Sequence, residues 1–342
     1  MKSQVYYKKS LPSLRDIGRL TKGRNFILIF DERLLAFIEF KLWANQFHNK
    51  YPVAAGEGLK SIDAFSAHVK KILPMLSGFS PKENIIVSVG GGSVGDFAGF
   101  VASVLKRGVG YVHIPSTWLA AVDSAHGGKT ALNVGDLKNQ IGTFYSAQII
   151  FCVQEILDQQ SVENVRSGYG ELIKIALIAG GSLYQQMIKM KVFDAKNLWR
   201  LLPKAVEAKH AVVKRDPLEI TGVRHLLNLG HTLGHAIELE KGLPHGQAVQ
   251  LGLEFATDWS YRRKILNQKD YDGMRTLYTK NKINHEILLQ KSRLHLRLKQ
   301  DKKALSGDRV RFAFLKKPGR VLIEPVLVDE VVAAACELGW AK

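Results

Sequence analysis

Five polar residues between Gly222 and Gly242 have the types and the spacing of a catalytic or metal-binding surface. In the stretch GVRHLLNLGHTLGHAIELEKG they occupy positions i, i+4, i+7, i+11 and i+14, and they are Arg224, Asn228, His231, His235 and Glu238. On a period of 3.6 residues these positions share one face, so the pattern predicts a single helix with a polar stripe. A pair of histidines on such a helix often lies on a solvated face, so the pair alone does not establish a metal site.

Two further residues make a metal site the better interpretation. His245 follows a predicted break at Gly242 and Pro244, and Glu171 lies on another predicted helix, in SGYGELIKIAL. Two imidazoles and one carboxylate are a common ligand set for a catalytic cation, and they leave positions open for water or a substrate oxygen. We therefore predict that Glu171, His231 and His245 bind a divalent metal ion.

A glycine-rich loop is a second candidate site. Residues 90–96, GGGSVGD, satisfy the pattern G-x-G-x-x-G between a predicted strand, ENIIVSVGG, and a predicted helix, DFAGFVASVLKRG. In this context backbone N–H groups and the helix N-terminus can bind a pyrophosphate. A glycine turn that only packs strand against helix is the alternative. The usual ribose-binding acid, about 20 residues later, would fall near Pro115, where there is none, so we expect Asp31 or Glu57 to take that role.

A polar stretch that contains glycines follows the loop, IPSTWLAAVDSAHGGKTALNVGDLKNQIGTFY. Its candidate residues are Asp123, Lys129, Lys138 and Asn139. The lysines could be solvated surface charges. Their alternation with glycines, at the expected open end of the sheet, favours contacts with an anion.

The chain pattern predicts an α/β fold in two domains. From residue 24 to about 150, short β-rich runs such as NFILIFD and GYVHIPS alternate with helical segments such as ERLLAFIEFKLWANQFH and SIDAFSAHVKKILPML, which is typical of a mostly parallel sheet. From about residue 160 the pattern is helical, up to a hairpin at RVRFAFL and GRVLIEP and a closing helix at VDEVVAAACELGW. We predict a Rossmann-like α/β domain over residues 1–158 and an all-α metal- and substrate-binding domain over residues 159–342, with the active site between them.

Composition restricts the class of protein. Two cysteines among 342 residues exclude a disulfide framework and a CxxC knuckle, and they favour a reducing, cytoplasmic setting. No run of 18 uncharged apolar residues occurs, so we expect no membrane insertion. Lys and Arg number 49 against 31 for Asp and Glu, which would attract a polyanion. However, the basic stretch near the C-terminus lacks interleaved aromatic residues, so we expect a small phosphorylated substrate and no nucleic acid.

In their order, these motifs resemble those of the 3-dehydroquinate synthases, a family of the sugar phosphate cyclase superfamily. The markers are GGGSVGDFAGF, VDSAHGGKTALN, LKNQIGTFY, GELIK, LLNLGHTLGHAIE, PHGQAV and DKK. The resemblance implies an N-terminal NAD-binding domain, a helical C-terminal domain that binds zinc or cobalt, and a homodimer. It implies conversion of 3-deoxy-D-arabino-heptulosonate 7-phosphate to 3-dehydroquinate and phosphate, a step of the shikimate pathway of aromatic amino acid biosynthesis. The alternatives are another sugar phosphate cyclase, such as a 2-epi-5-epi-valiolone synthase, and a metal-dependent alcohol dehydrogenase of related fold.

The resemblance also implies roles for individual residues. The metal ligands would be the same three residues, Glu171, His231 and His245. Catalysis and substrate binding would involve Lys174, Lys209, Arg224, Asn228, His235 and Lys302, with His235 as a proton relay. The phosphate would be bound near Lys129, Lys138 and Asn139, and by Arg107 across a dimer interface. NAD would contact Asp31, Glu57, Lys60, Gly92, Ser93, Val94, Gly95, Asp96, Ser116 and Thr117. Asp123, Lys129 and Lys138 are expected to lie at both the substrate and the cofactor.

Several positions depart from the family pattern. Gln247 stands where a glutamate usually follows His-Gly, and a neutral amide could still orient His245. Arg33 stands where an asparagine commonly follows the ribose acid, and it could alter adenosine contacts or admit a 2′-phosphate. His126 replaces a small residue, and Ser116 replaces a threonine. The segment from Asp216 to Arg224 is one residue longer than usual, which is expected to displace an acidic residue.

Overall fold

The computed structural model of the protein describes residues 3–283, 287–300, 304–305 and 308–342. It divides into two compact units, Met1–Ser161 and Val162–Lys342, whereas the boundary predicted from the sequence lies between residues 158 and 159. Within the described ranges, no helix is both long enough and apolar enough to cross a membrane.

The first unit is built on a parallel sheet. Its strands are β1 (Gln4–Lys8), β2 (Asn25–Asp31), β3 (Asn49–Val53), β4 (Asn84–Gly90), β5 (Gly110–Pro115), β6 (Lys129–Val134), β7 (Leu137–Phe144) and β8 (Ile149–Val153). Its helices are α1 (Leu14–Thr21), α2 (Ile38–Ala44), α3 (Ile62–Ile72), α4 (Gly92–Val104), α5 (Trp118–Val122) and α6 (Gln154–Leu157). Six strands pair in the order β1-β8-β5-β4-β2-β3, all parallel, and β6 and β7 form a separate antiparallel hairpin. The predicted α/β class is therefore confirmed.

The strand order reverses between β2 and β4. From β2 the chain continues to β3 on one side, whereas β4, β5 and β8 follow on the other side. In open parallel sheets, ligands bind at the carboxyl ends of the strands beside such a reversal. Phe30 is in register with Val89, so Asp31 at the end of β2 and Gly90 at the end of β4 lie at this same edge.

The strands β2, β4 and β5 were predicted from the sequence, whereas the inner strand β8 was not. β2 and β4 are near-continuous apolar runs that are buried along their length, which is the pattern of a strand covered on both faces. The edge strands β1 and β3 and the hairpin β6–β7 were missed. β3 contains Pro52, a residue that argues against a central strand and is tolerated at an edge. The predicted helix from Glu32 is a 3-10 helix, Glu32–Ala36, followed by α2.

The second unit is mainly helical. Its helices are α7 (Val162–Ala179), α8 (Gly181–Lys189), α9 (Ala195–Arg215), α10 (His231–Lys241), α11 (His245–Arg262), α12 (Gln268–Asn281), α13 (Lys291–Gln300) and α14 (Val328–Glu337). It also contains a small antiparallel sheet of β9 (Ala304–Leu305), β10 (Arg309–Lys317) and β11 (Arg320–Leu327). The hairpin and the closing helix predicted near the C-terminus are present as β10–β11 and α14.

The single helix predicted over residues 222–242 is wrong. The chain forms a 3-10 helix at Val223–Asn228, and α10 begins only at His231. Gly230 separates the two helices in a left-handed conformation, with φ of +77°. Glycine is needed there, because a Cβ at Gly230 would lie 2.8 Å from the side chain of Leu253. Arg224 and Asn228 therefore do not continue the polar stripe of α10.

Candidate active site

A close crossing of α7 and α11 brings two of the predicted ligands together in the second unit. A Cβ on Gly170 would lie 1.9 Å from the carbonyl oxygen of Gly246, so only glycines permit the two backbones to approach this far. The hydroxyl of Ser167 also accepts a hydrogen bond from the backbone N–H of Gly246, at 3.1 Å. Glu171 and His245 directly adjoin these glycines, so the crossing places their side chains next to each other.

A second crossing adds the third ligand. α10 packs against α11, and a Cβ on Gly252 would lie 1.9 Å from the carbonyl oxygen of Gly230. Because His231 follows Gly230 and is the first residue of α10, this contact fixes the start of the helix and its imidazole beside α11. The three ligands thus come from three helices joined by glycine contacts.

The ligand atoms have the geometry of a metal site. Oε1 of Glu171 lies 3.7 Å from Nε2 of His231 and 3.4 Å from Nε2 of His245. One ligand atom from each residue lies within 4.8 Å of the others. Metal–ligand bonds of about 2.0–2.1 Å in a tetrahedral zinc site separate neighbouring ligand atoms by about 3.3 Å. The observed separations fit a single ion.

Both histidines are held so that Nε2 faces the carboxylate of Glu171. Nδ1 of His231 lies 3.2 Å from the carbonyl oxygen of Leu229, and Nδ1 of His245 lies 2.7 Å from Oε2 of Glu238. Both acceptors require the proton on Nδ1, which leaves the Nε2 lone pair available for a metal ion. The partner of His245 is thus Glu238 and not Gln247, whose predicted orienting role does not match this contact.

Charges around Glu171 are balanced by neighbouring cations. Glu171 is fully buried, and its Oε2 pairs with the ammonium group of Lys174, which is 1% exposed. Burial lowers the pKa of His245, but hydrogen bonds to Glu171 and Glu238 and the charges of both carboxylates raise it to about 9. A divalent cation between Nε2 and Glu171 would take the place of that proton, because a metal ligand must be deprotonated. The donor set therefore fits a divalent metal ion.

Among the other residues predicted for this site, His235 lies close to the two histidine ligands, and others lie on neighbouring elements. The ring centroid of His235 lies 5.3 Å from that of His231 and 6.0 Å from that of His245. Lys209 is buried on α9, which packs against α7 and against the 3-10 helix that carries Arg224 and Asn228. Lys302 lies outside the described residues.

The longer segment before Arg224 is held by a buried acid. Oδ1 and Oδ2 of Asp216 accept hydrogen bonds from the backbone N–H groups of Thr221, at 3.0 Å, and Arg224, at 3.1 Å. Burial raises the pKa of Asp216, but these backbone hydrogen bonds prevail and lower it to about 2. The guanidinium of Arg224 also donates to the carbonyl oxygen of Pro217, at 3.0 Å. Asp216 thus fixes the start of the 3-10 helix.

In the first unit, the glycine loop joins β4 directly to α4. Gly91 caps the helix without a side chain and α4 begins at Gly92, so the first N–H groups of the helix lie beside the end of β4. A Cβ on Gly95 would lie 3.2 Å from the imidazole of His113. His113 is itself buried, and Ser88 lies 2.7 Å from its Nδ1. Burial lowers the pKa of His113 to about 4, so a neutral ring supports the loop.

Several residues predicted to bind NAD lie close to this loop. Nζ of Lys60 lies 2.7 Å from Oδ2 of Asp96 and 2.5 Å from Oδ1 of Asn139. Oε2 of Glu57 accepts a hydrogen bond from Asn133, at 2.8 Å. The structure therefore brings together Glu57, Lys60, Asp96 and Asn139. Their spacing in the sequence does not predict this grouping.

The remaining predicted residues of this unit lie at strand ends and on the hairpin. Asp31 ends β2, and the guanidinium of Arg33 lies 2.6 Å from its Oδ2. The backbone N–H of Ser116 donates to Gly90, at 2.9 Å, and Thr117 caps α5. Four other residues are exposed or half-buried, and these are Arg107, Asp123, Lys129 and Lys138. His126 is buried, with Nε2 2.8 Å from the carbonyl oxygen of Ala121.

Solved structures with the same fold include sugar phosphate cyclases. A 2-deoxy-scyllo-inosose synthase complexed with carbaglucose-6-phosphate, NAD+ and Co2+ superposes with a TM-score of 0.85 at 22% identity, covering 98% of this chain and 97% of that one. A 2-epi-5-epi-valiolone synthase from Streptomyces hygroscopicus, with NAD+ and Zn2+ bound, gives a TM-score of 0.81 at 19% identity, covering 99% and 97%. This chain therefore shares the fold of these two enzymes.

The sequence identifies the family within that class. Residues 50–167 match the family model of the 3-dehydroquinate synthase N-terminal domain, and residues 168–304 match that of the C-terminal domain. The chain belongs to the 3-dehydroquinate synthase family and is an enzyme.

Individual relatives agree with this assignment. The 3-dehydroquinate synthase of Bacillus pumilus is 33% identical over 313 residues, which cover 89% of this chain and 83% of the relative. That of Leptospira interrogans is 35% identical over 270 residues, covering 74% and 72%. A bifunctional shikimate kinase/3-dehydroquinate synthase of Thermotoga maritima is 33% identical over 325 residues, and the match spans 92% of this chain and 64% of that relative's length.

Proposed function

We propose that this chain is a 3-dehydroquinate synthase that converts 3-deoxy-D-arabino-heptulosonate 7-phosphate to 3-dehydroquinate and phosphate. The observation that carries the proposal is the convergence of Glu171, His231 and His245 on one point, in a chain matched by both family models. The proposed cofactors are NAD and a divalent ion, Zn2+ or Co2+. Both cyclase structures compared above contain NAD+ and one of these ions.

The residues of the second unit supply the metal-dependent part of this chemistry. When bound, NAD would remove and later return a hydride, and the divalent ion would lower the cost of negative charge on the substrate oxygen. Glu171 and the Nε2 atoms of His231 and His245 would hold the ion. Lys174 would keep the second oxygen of Glu171 in place, because its ammonium pairs with that oxygen inside the protein.

His235 is the proposed proton relay of this site. It lies one turn after His231 on α10, with ring centroids 5.3 Å apart. An imidazole can accept and donate a proton near neutral pH, which suits a group that serves a substrate oxygen beside the metal ion. Lys209, Arg224, Asn228 and Lys302 are proposed to bind the substrate, on the strength of the family resemblance.

The residues of the first unit supply the nucleotide site. The N–H groups at the start of α4 would bind the pyrophosphate of NAD, because a helix N-terminus favours an anion. Asp31, at the end of the neighbouring strand β2, would bind the adenosine ribose. Their common position beside the reversal in strand order supports both roles. Contacts of NAD with Glu57, Lys60, Ser116 and Thr117 are proposed in the same way.

The decisive experiment is incubation of the purified protein with the heptulosonate phosphate, NAD+ and Zn2+ or Co2+. We expect release of inorganic phosphate in equal amount to a carbocyclic product identified as 3-dehydroquinate by mass spectrometry and NMR. NADH should not accumulate, because the hydride returns to the substrate. Failure to release phosphate with any of these metals would overturn the proposal.

Two control reactions separate the related activities. Sedoheptulose 7-phosphate and glucose 6-phosphate represent the phosphorylated sugars that other cyclases of this fold could use. Turnover of either one in preference to the heptulosonate would assign the protein to another sugar phosphate cyclase. Sustained growth of NADH absorbance with a simple alcohol would assign it to a dehydrogenase.

The proposed physiological state is a homodimer in the cytoplasm with a small phosphorylated sugar acid as its partner. In this proposal Arg107 would reach the phosphate of the neighbouring subunit, and Asp123, Lys129, Lys138 and Asn139 would bind substrate within their own chain. Sedimentation of the purified protein tests the dimer, and an Arg107→Ala variant tests whether the phosphate site depends on it.

A further inference from the structure

His245 is held at both of its ring nitrogens by carboxylates from two different helices. Nε2 lies 3.4 Å from Oε1 of Glu171 on α7, and Nδ1 lies 2.7 Å from Oε2 of Glu238 on α10. A carboxylate oxygen only accepts hydrogen bonds, so the shorter contact is a hydrogen bond from Nδ1–H to Glu238, and this proton stays on Nδ1 when a metal ion takes the place of the proton on Nε2. The lone pair is then on Nε2, directed towards Glu171 and the proposed metal ion.

His231 is oriented in a weaker way. Its Nδ1 lies 3.2 Å from the carbonyl oxygen of Leu229, a neutral acceptor in its own chain segment. Hydrogen bonds to an ionised acceptor are shorter and about twice as strong as those between neutral groups. The contact between His245 and Glu238 is therefore the stronger of the two orienting contacts at this centre.

The orientation of the His245 ring also depends on its hydrogen-bond partner more than that of the His231 ring does. Each histidine is the first residue of its helix, but 30% of the side chain of His245 is exposed against 12% for His231. Packing alone therefore restrains the ring of His245 less. Glu238 lies seven residues after His231, two turns along α10, so the helix that provides one ligand also orients the other.

We propose that Glu238 is a positioning residue of the metal centre, which fixes the ring and the tautomer of His245 and thereby sets the affinity for the metal ion. The inference rests on the proposed metal site of Glu171, His231 and His245. A carboxylate behind a metal-bound histidine orients the ring and raises its basicity, and losing such a partner weakens metal binding by about 10–100-fold.

The test is a titration with Co2+ alone, without NAD or substrate. Competition with a chelator gives the dissociation constant, and the visible absorption of bound Co2+ reports the ligand geometry. For Glu238→Ala we expect binding about 10–100-fold weaker and an altered spectrum. For Glu238→Gln we expect a smaller loss, because the amide oxygen can still accept the hydrogen bond from Nδ1. This isosteric variant keeps the test informative if Glu238→Ala does not fold.

Glu240→Gln is the matched control on the same helix. Glu240 contacts Lys241 and accepts a hydrogen bond from the backbone of Gln290 at 3.2 Å, so its substitution should leave Co2+ affinity within twofold of the unaltered protein. A purely structural Glu238 would lower the unfolding temperature of the metal-free protein and leave the spectrum of bound Co2+ unchanged. That result would overturn the inference.

His245→Ala separates the inference from the proposed function. If the unaltered protein does not bind Co2+, the metal site itself is wrong. If His245→Ala loses binding while both Glu238 variants bind Co2+ as tightly as the unaltered protein, the metal site stands and the role of Glu238 is refuted.

Discussion

The glycine loop of the first unit and the metal centre of the second differ in the groups that form them, which are backbone groups in the loop and side chains in the metal centre. The loop consists of backbone: Gly91 and Gly92 leave the N–H groups of α4 accessible at the end of β4. The metal centre consists of charged side chains, and its central carboxylate, Glu171, is fully buried with Lys174 beside it. A backbone site tolerates the loss of most side chains but not the addition of one. A buried charged site fails when one member is removed, because its partner charge is left uncompensated.

The largest effect is expected from His231→Ala in the metal centre. The variant keeps only Glu171 and His245 as ligands, so the metal ion should be lost on dialysis. We expect turnover to fall by about a thousandfold, equivalent to roughly 4 kcal/mol of transition-state stabilisation. Metal content by atomic emission and initial rates of phosphate release measure the two effects.

His295→Ala is the control for this prediction. His295 lies on α13 and its Nε2 is 3.1 Å from a carboxylate oxygen of Asp329, so its removal should leave metal content and rate unchanged. Full activity of metal-free His231→Ala would contradict the assignment of the whole centre.

A smaller effect, on stability, is expected from Lys60→Met beside the glycine loop. Lys60 is 4% exposed and pairs with Asp96 at 2.7 Å, so the variant leaves a carboxylate without its cation. Breaking a fully buried pair costs about 3–5 kcal/mol. The side chain of Asp96 is 24% exposed, so we expect about 2–3 kcal/mol in the free energy of unfolding at neutral pH.

The loss in Lys60→Met should depend on pH. Burial already raises the pKa of Asp96, while the charge and hydrogen bond of Lys60 lower it. A carboxyl group with a raised folded pKa stabilises the fold at low pH, and this stability is lost as pH rises through that pKa. Without Lys60 the pKa of Asp96 rises further. The free energy of unfolding of the variant should therefore be nearly normal at pH 4 and lowest above pH 7. Urea unfolding across this pH range measures the loss of stability, and Lys50→Met is the control at an exposed lysine. An equal loss at every pH would show that packing, not charge, is responsible.

The three residues of the candidate metal site, which the structure brings together, could be picked out from sequence because their residue types are rare in combination. The residues that support them could not. The two glycines that bring α7 and α11 together, Gly170 and Gly246, carry no chemistry and are 76 positions apart. Glu238 was placed on the polar stripe with His231, yet nothing in its spacing indicated that it would contact His245 from another helix. Gln247 was the nearer residue in sequence and was the one considered for this role.

The first unit shows the same limit for the fold. Local apolar runs identified β2, β4 and β5, since a strand covered on both faces is apolar along most of its length, but the equally apolar β8 was not identified. β1 and β3 were missed, because an edge strand carries polar residues and Pro52 at positions that the rest of the sheet leaves exposed. The proposed role of Asp31 followed from its place at the end of β2. Its closeness to the glycine loop became visible only with the strand order, which is a property of the whole sheet.

A still smaller effect is expected from Gly92→Ala in the loop. A Cβ at Gly92 would lie 3.4 Å from Oγ of Ser124, an ordinary contact, so the fold should accept it. If the pyrophosphate of NAD approaches the start of α4, the added methyl group should obstruct it and weaken NAD+ binding by about tenfold, roughly 1.4 kcal/mol. Calorimetric titration measures the affinity, and thermal unfolding checks that the fold is unchanged.

Gly90→Ala is the contrasting variant for the loop. Its Cβ would lie 2.4 Å from Cβ of Val94, so it should destabilise the fold itself. If Gly92→Ala binds NAD+ normally, the loop only packs strand against helix, which was the alternative interpretation of its sequence.

The smallest effect is expected from Arg33→Asn at the end of β2. The guanidinium of Arg33 holds Oδ1 and Oδ2 of Asp31 at 2.6–3.2 Å, so the acid proposed to bind the ribose is already engaged by a cation. Removing Arg33 frees Asp31 for the ribose hydroxyls and exposes its negative charge to any 2′-phosphate. We expect NAD+ to bind about two- to fivefold more tightly and NADP+ more weakly, an effect below about 1 kcal/mol because the guanidinium is largely exposed. Arg24→Asn, which removes an exposed arginine paired with Glu83 at 3.4 Å, is the control. Equal changes for the two nucleotides would mean that Arg33 does not discriminate at the 2′ position.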